Sequence, residues 1–316
     1  MTDFQKFKIY LQLARFDHWV KNVFVLPGTF VAMIFTRSSF LGIIFPLGLA
    51  LLATGFIASA NYIINEYVDR EFDRHHPKKK HRKSVAHDLS LKWVLVEYFV
   101  FILIGLSIGY CINKEFTWAL CALLVMGFLY NIRPFRTKER VHLDVISESI
   151  NSPIRMVLGW LVVTTTLMPP ISLLIAYWMV GAYMMAIKRF SEYRYINNPQ
   201  LAALYRKSFA YYNEQKLLTA TFVYGFCYAL FIGIFLVKHK LEFVFALPFQ
   251  ALLLVWYLNL GFKEDSPTQH PEILYKEKGF LLFLLFVIVI TAGLFFIDIP
   301  SFRDFVSKRF FIELLH

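Results

Sequence analysis

Asn61, Asn65, Asp69 and Asp73 recur every four residues in the stretch "NYIINEYVDREFD", with Glu66 bordering the row. On a helix, residues four apart share one face, one turn above the next. A row of carboxylates on one face repels itself unless a cation sits among them. Hard oxygen donors at this density suit Mg2+, which binds through one or two carboxylates and shares its other positions with water and substrate phosphates. The plain alternative is a solvated helical extension. The row directly follows the apolar run "FLGIIFPLGLALLATGFIASA", and acids beside a membrane span are costly and usually functional.

A basic block, "RHHPKKKHRK", follows at once over residues 74–83. It reads either as a topology determinant attracted to anionic headgroups or as a phosphate clamp. Acids and bases at one spot suit a diphosphate, with metal on some oxygens and Lys or Arg on the others.

Three further groups of polar residues border apolar runs. Asp144, Glu148, Asn151 and Arg155 are spaced by four, three and four, and form one stripe entering an apolar segment. An unpaired Arg155 there would be expensive. Lys188, Arg189 and Glu192 end another run; a simple i, i+4 ion pair is the bland reading. "ARFDHWVKN" precedes a third, where Trp19 fits an interfacial belt and Lys21 could snorkel. His75, His76, His81 and His87 read as loop residues. No HExxH, GxSxG, P-loop or Rossmann fingerprint is present.

The elements that must position these residues are membrane helices. The chain has 316 residues, 58% of them hydrophobic and 17% charged, with 34 Phe; its mean hydropathy is +0.53. A soluble chain would carry about 25% charge. Nine candidate spans stand out, at about 20–36, 39–60, 91–112, 115–131, 148–167, 169–187, 216–237, 241–261 and 279–299. Pro27 and Gly28 interrupt the first. Unsatisfied backbone is intolerable in lipid, so the spans should be helices. A cytoplasmic amino terminus would put 25 Lys and Arg on the cytoplasmic side and 7 opposite, the bias expected of a cytoplasmic face. The carboxyl terminus would then lie across the membrane. The net charge is +11; no nucleic-acid partner is expected. No removable signal peptide is apparent. Cys111, Cys121 and Cys227 lack metal or disulfide spacing. The expectation is one polytopic domain over 1–316, with its largest connections, 61–90 and 188–215, on the cytoplasmic side.

At this point the chain resembles the UbiA superfamily of intramembrane prenyltransferases. "NEYVDREFD" is similar to the NDxxDxxxD signature, with Glu66 replacing Asp. Within it, the likeness is to the decaprenyl-phosphate phosphoribosyltransferase branch. "RFDHWVKNVFVLPG" resembles RxxQWxKNxxVF, "DRHHPKKKHRKSVA" resembles DxxHPxKxxRPIA, "YNIRPFRTKERVHLDV" resembles YNxxLKxxxxxDV, and "IKRFSEY" resembles GKRxxEL. "SFAYYN" and "HPEILYKEKG" have looser counterparts. The likeness runs from about Arg15 to Gly279. It departs at Lys83-Ser84, where the branch has Arg-Pro-Ile, at "VAHDLS", and at Ala186-Ile187, where Gly is expected.

The resemblance implies an all-α integral membrane protein: nine transmembrane helices around a central cavity open to the cytoplasmic side, in a bacterial inner membrane. It implies Mg2+ on Asn65, Glu66, Asp69 and Asp73, holding the diphosphate of phosphoribosyl pyrophosphate. Lys78, Arg82 and Lys83 would contact phosphates. Asp144 and Glu148 would face the sugar, and Lys188, Arg189 and Glu192 would line the opposite wall. Arg15, Lys21 and Asn22 would meet the phosphate of a polyprenyl phosphate. The residues expected to carry catalysis are Asp69, Asp73, Asp144, Glu148, Lys188 and Glu192; Asn61, Tyr130, Asn151 and Arg155 are expected to touch substrate. The reaction would transfer 5-phosphoribosyl to the lipid phosphate and release diphosphate. Membrane lipids are the remaining partners, with homo-oligomerisation left open. Two rivals stay open: a prenyltransferase moving a prenyl group from its diphosphate to an aromatic acceptor, and a lipid transporter or binding protein without chemistry. Transporters usually place their polar site near the bilayer midplane.

Overall fold

The computed structural model describes residues 3–77, 79–269 and 271–302, and contains no strand among them. Helix α1 (Asp3–Leu13) leads into a 3-10 stretch (Phe16–Val25) and α2 (Leu26–Thr36). The long α3 (Phe40–Asp73) and the single turn α4 (Lys83–Ala86) follow, then α5 (Leu91–Ile112), α6 (Lys114–Asn131), α7 (Leu143–Ser149) and α8 (Asn151–Val163). The second half comprises α9 (Ile171–Ile196), α10 (Pro199–Tyr205), α11 (Glu214–His239), α12 (Leu247–Gly261) and α13 (Lys278–Phe296).

Among the described residues, seven segments are long and apolar enough to cross a membrane: Lys8–Thr36, Phe40–Asp73, Leu91–Ile112, Ile171–Ile196, Glu214–His239, Leu241–Gly261 and Lys278–Phe296. Two of the nine expected spans are shorter helices. Helix α6 has 18 residues, about 27 Å. The expected span over 148–167 is split, because α7 ends at Ser149 and α8 starts anew at Asn151. The 13 residues of α8 reach about 20 Å, short of the ~30 Å hydrocarbon core. Pro153 sits in the first turn of α8, where a missing N–H costs nothing. Likewise Pro27 and Gly28 open α2 rather than break it.

The outward faces are greasy: Leu41, Phe45, Leu103, Phe226, Val237 and Leu282 are all exposed. Water would not tolerate such continuous apolar surface, and the molecule is an integral membrane protein. Inside, Ala50, Ala53 and Ile57 of α3 meet Leu120 and Leu123 of α6 and Leu158 of α8. Ala182, Tyr183 and Ala186 of α9 meet Ala220 and Tyr224 of α11. Small residues let membrane helices approach closely, most of all where α2 crosses α8. A Cβ added at Gly28 would lie 1.8 Å from the Met156 carbonyl oxygen, and one at Gly159 would lie 1.9 Å from that of Val25. Thr29 Oγ1 closes the crossing by donating to the Gly159 carbonyl at 3.0 Å. Gly159→Ala should therefore push the helices apart and cost about 1–3 kcal/mol, read as a lowered unfolding midpoint in detergent.

Helix α3 has 34 residues, about 51 Å. Roughly 20 residues cross the core, so its last turns carry the Asn/Asp row beyond the hydrocarbon.

Candidate active site

The row begins where α3 leans on α6. Asn61 Nδ2 donates to the Leu123 carbonyl at 3.0 Å. A Cβ at Gly127 would fall 2.1 Å from the Asn61 amide, so glycine is what admits this side chain. One turn on, Asn65 Oδ1, Asp69 Oδ1 and Asn131 Oδ1 converge on one cation, Lys138 Nζ, at 3.0, 2.5 and 2.7 Å. Arg136 Nη2 also donates to Asp69 Oδ1, at 3.1 Å. Burial brings the Lys138 ammonium down to about 8, against the opposing pull of Asp69.

The end of the row is held by the loop that follows it. Arg82 Nη1 bridges Asp73 Oδ2 and Glu66 Oε1, both at 2.9 Å. Glu66 also accepts from Arg15 Nη1 at 3.2 Å and from Ser84 Oγ at 2.9 Å. Glu66, seven residues before Asp73, falls on the same helical face as that end of the row, and the two share Arg82. Arg15 sits on Glu66 in an ion pair at 3.2 Å. Asn22 likewise turns to the Leu51 carbonyl, at 3.5 Å. Lys78 lies outside the described residues, as does the side chain of Lys83.

The second acidic pair divides. Asp144 is 0% exposed. It accepts from Ser208 Oγ at 3.1 Å and Tyr212 OH at 2.8 Å, with Arg189 Nε at 3.5 Å. With both oxygens engaged, it ties down the segment before α11. Glu148 accepts from Tyr130 OH at 2.7 Å and Arg189 Nη2 at 2.5 Å. The bland Lys188–Glu192 pair does not form. Lys188 approaches Glu148 at 3.9 Å, while Glu192 takes Lys79 at 2.5 Å, Tyr205 OH at 2.8 Å and Arg189 Nη1 at 3.3 Å.

Eight of the residues singled out in the sequence line one cavity of about 200 Å³: Lys21, Asn61, Asn65, Tyr130, Glu148, Asn151, Arg155 and Lys188. Phe24, Leu123, Met184, Met185 and Tyr257 make the rest of its wall apolar. Beyond it, Asp69 and Asp73 line a narrow cleft with Arg136, Lys138, Tyr205 and Arg206. That cleft shares Arg136, Glu139 and Lys207 with a broad cleft of about 860 Å³ that also exposes Arg133 and Arg140. Lys79, Asn131, Arg136, Lys138, Tyr205 and Arg206 belong to the site without having been singled out. Lys79 lay within the basic block already noted. Arg136 and Lys138 lay in "RPFRTKER", where only a turn through the left-handed Arg136 (φ 29) brings them back over the row.

Among the described residues, no three His, Cys, Asp or Glu side chains form a metal cage. The amide and carboxylate oxygens of Asn65, Asn131 and Asp69 do surround a cation, and oxygens of this kind are what a hard divalent ion takes. The donor set therefore fits Mg2+.

A bundle of membrane helices thus brings a spaced Asn/Asp row against a cluster of buried bases, in a chain whose family match makes it a membrane-embedded transferase. Residues 25–284 match the UbiA prenyltransferase family, and the chain belongs to that family. It is 25% identical over 277 residues to the protoheme IX farnesyltransferase of Leptospira biflexa, covering 85% of this chain and 90% of that one. It is 27% identical over 221 residues to the decaprenyl-phosphate phosphoribosyltransferase of Mycobacterium tuberculosis, covering 67% and 70%. An uncharacterized protein of Sinorhizobium fredii is 28% identical over 152 residues, 48% of this chain; the chain spans 28% of that relative's length. In fold it is similar to a UbiA homolog from Archaeoglobus fulgidus bound to GPP and Mg2+, with a TM-score of 0.66 at 20% identity, over 92% of this chain and 100% of that one.

Proposed function

We propose that this protein transfers 5-phosphoribosyl from phosphoribosyl pyrophosphate to a polyprenyl phosphate and releases diphosphate. One observation carries the reading. The Asp69–Asp73 end of the site opens onto a basic cleft lined by Arg133, Arg140 and Lys207, and not onto the apolar wall of the cavity. A soluble polyanion can reach such an end from water, whereas the tail of a prenyl diphosphate would need apolar walls there. In this reading the cleft faces the cytoplasm, α6 and the α7–α8 pair complete nine crossings, and the host is a bacterial inner membrane.

Asn65 and Asp69 would hold Mg2+, with Asn131 and Asp73 adjoining. When bound, Mg2+ supplies charge neutralisation of the departing diphosphate. Lys79, Arg82, Arg136, Lys138 and Arg206 stand around the same end and stabilise negative charge as it develops. A phosphate oxygen of the lipid forms the new bond to C1 of the ribose. The C1–O bond to diphosphate breaks, and its electron pair leaves with the diphosphate. A dianionic phosphate has no proton to lose, so no strong base is required. Asn61, Tyr130 and Glu148 position the sugar between the two ends.

The second reading, transfer of a prenyl group to an aromatic acceptor, draws on the apolar wall of Phe24, Leu123, Met184 and Met185, which suits an isoprenoid. Purified protein given radiolabelled phosphoribosyl pyrophosphate, polyprenyl phosphate and Mg2+ separates the two. Labelled lipid and diphosphate are expected, and both should vanish with EDTA. No labelled lipid, together with turnover of a prenyl diphosphate and a phenolic acid, would establish the second reading instead.

A further inference from the structure

Arg155 is 8% exposed, in the second turn of α8. Its Nη1 donates to the Asn151 carbonyl at 3.3 Å, and its Nε has no acceptor. No ion pair is made to it among the described residues, although it lies in the wall of the membrane cavity beside Lys21 and Lys188. The one carboxylate among the described residues of that wall, Glu148, is already taken by Arg189 at 2.5 Å and Tyr130 at 2.7 Å. Positive charge in this cavity therefore exceeds negative.

Burying a lone guanidinium among apolar helices is costly unless an anion joins it. The guanidinium fork also matches phosphate oxygens better than a point charge does. The same cavity has an apolar side, formed by Phe24, Leu123, Met184 and Met185. A ligand complementary to both is an amphiphile with a small anionic head and a hydrocarbon tail.

We propose that Arg155, with Lys21 and Lys188, is the seat of the acceptor's phosphate monoester, at the membrane end of the site and apart from the Asp69 end. This rests on the phosphate acceptor named above and locates its head group. It also makes Arg155 a specificity determinant: an uncharged acceptor leaves the guanidinium unpaired and is rejected.

The test is a binding measurement without donor. Farnesyl phosphate and farnesol are titrated into the purified protein in nanodiscs, followed by tryptophan fluorescence. The intact protein should bind farnesyl phosphate at least tenfold more tightly than farnesol. Arg155→Gln should erase that preference while leaving farnesol affinity unchanged, and Arg155→Lys should restore part of it. Should Arg155→Gln lose both ligands, Lys188→Gln provides the same comparison and should lower the preference severalfold. Equal affinities in the intact protein, or an undiminished preference in a folded Arg155→Gln or Lys188→Gln variant, overturn the seat. Failure of the labelled-donor assay with a preference that depends on Arg155 would overturn the donor assignment and leave the seat standing.

Discussion

Replacing Asp69 by Asn is expected to slow turnover about 100- to 1,000-fold, the range seen when one preorganised electrostatic contact is lost, and to move the unfolding midpoint little. The substitution is isosteric, and an amide oxygen can still accept from Lys138 and Arg136, which now lie 2.5 and 3.1 Å from Asp69 Oδ1. What disappears is the negative charge. Lys138 is already brought down to about 8 by burial, and losing Asp69, which pulls the other way, lowers it further. It can then shed its proton instead of standing as an unpaired buried cation. Stability is thereby spared, whereas the oxygen set that would hold Mg2+ loses its charged member. Diphosphate release, followed while Mg2+ is raised to saturation, measures the effect. Wild-type turnover at saturating Mg2+ would remove Asp69 from the site.

Asp144→Ala is expected to act in the opposite sense, through stability. Asp144 is fully buried and engages Ser208, Tyr212 and Arg189 at once. Arg189 is itself buried. Removing one partner of such an array typically costs about 3–5 kcal/mol. The segment carrying α10 should loosen first, so trypsin should cut sooner after Arg206 and Lys207. Asp144→Asn keeps an acceptor for Tyr212 or Ser208 and should cost less. Unchanged stability with lost turnover would return Asp144 to the sugar-facing role that its place in the stripe suggests.

These two residues show what a sequence can reveal. The α3 row was legible because its spacing is local: four residues make a helical turn, whatever lies elsewhere in the chain. Helical geometry also puts Glu66, seven residues before Asp73, at that end of the row, where both meet Arg82. The stripe through Asp144, Glu148 and Arg155 was only half legible. Glu148 and Arg155 do line the cavity, whereas Asp144, one turn before Glu148 on the same α7, is taken by Ser208 and Tyr212. Those partners lie 64 and 68 residues away, a distance over which no local pattern speaks. The same holds for Lys138, which reaches Asn65 across 73 residues. Hydropathy found the membrane helices because lipid acts on every residue of a span alike. It does not register a boundary inside an apolar run, such as the one between α7 and α8.

The length of α3 has a consequence for where the protein can work. One unbroken rod bears both the greasy turns that anchor it and the oxygens at its tip, so it acts as a depth gauge. In a thicker bilayer the rod would be submerged by roughly one turn, about 5.4 Å, drawing the Asn65–Asp69 level from wet headgroups toward oil. The host membrane's thickness, and not the protein alone, thus tunes how strongly charge is felt at that tip.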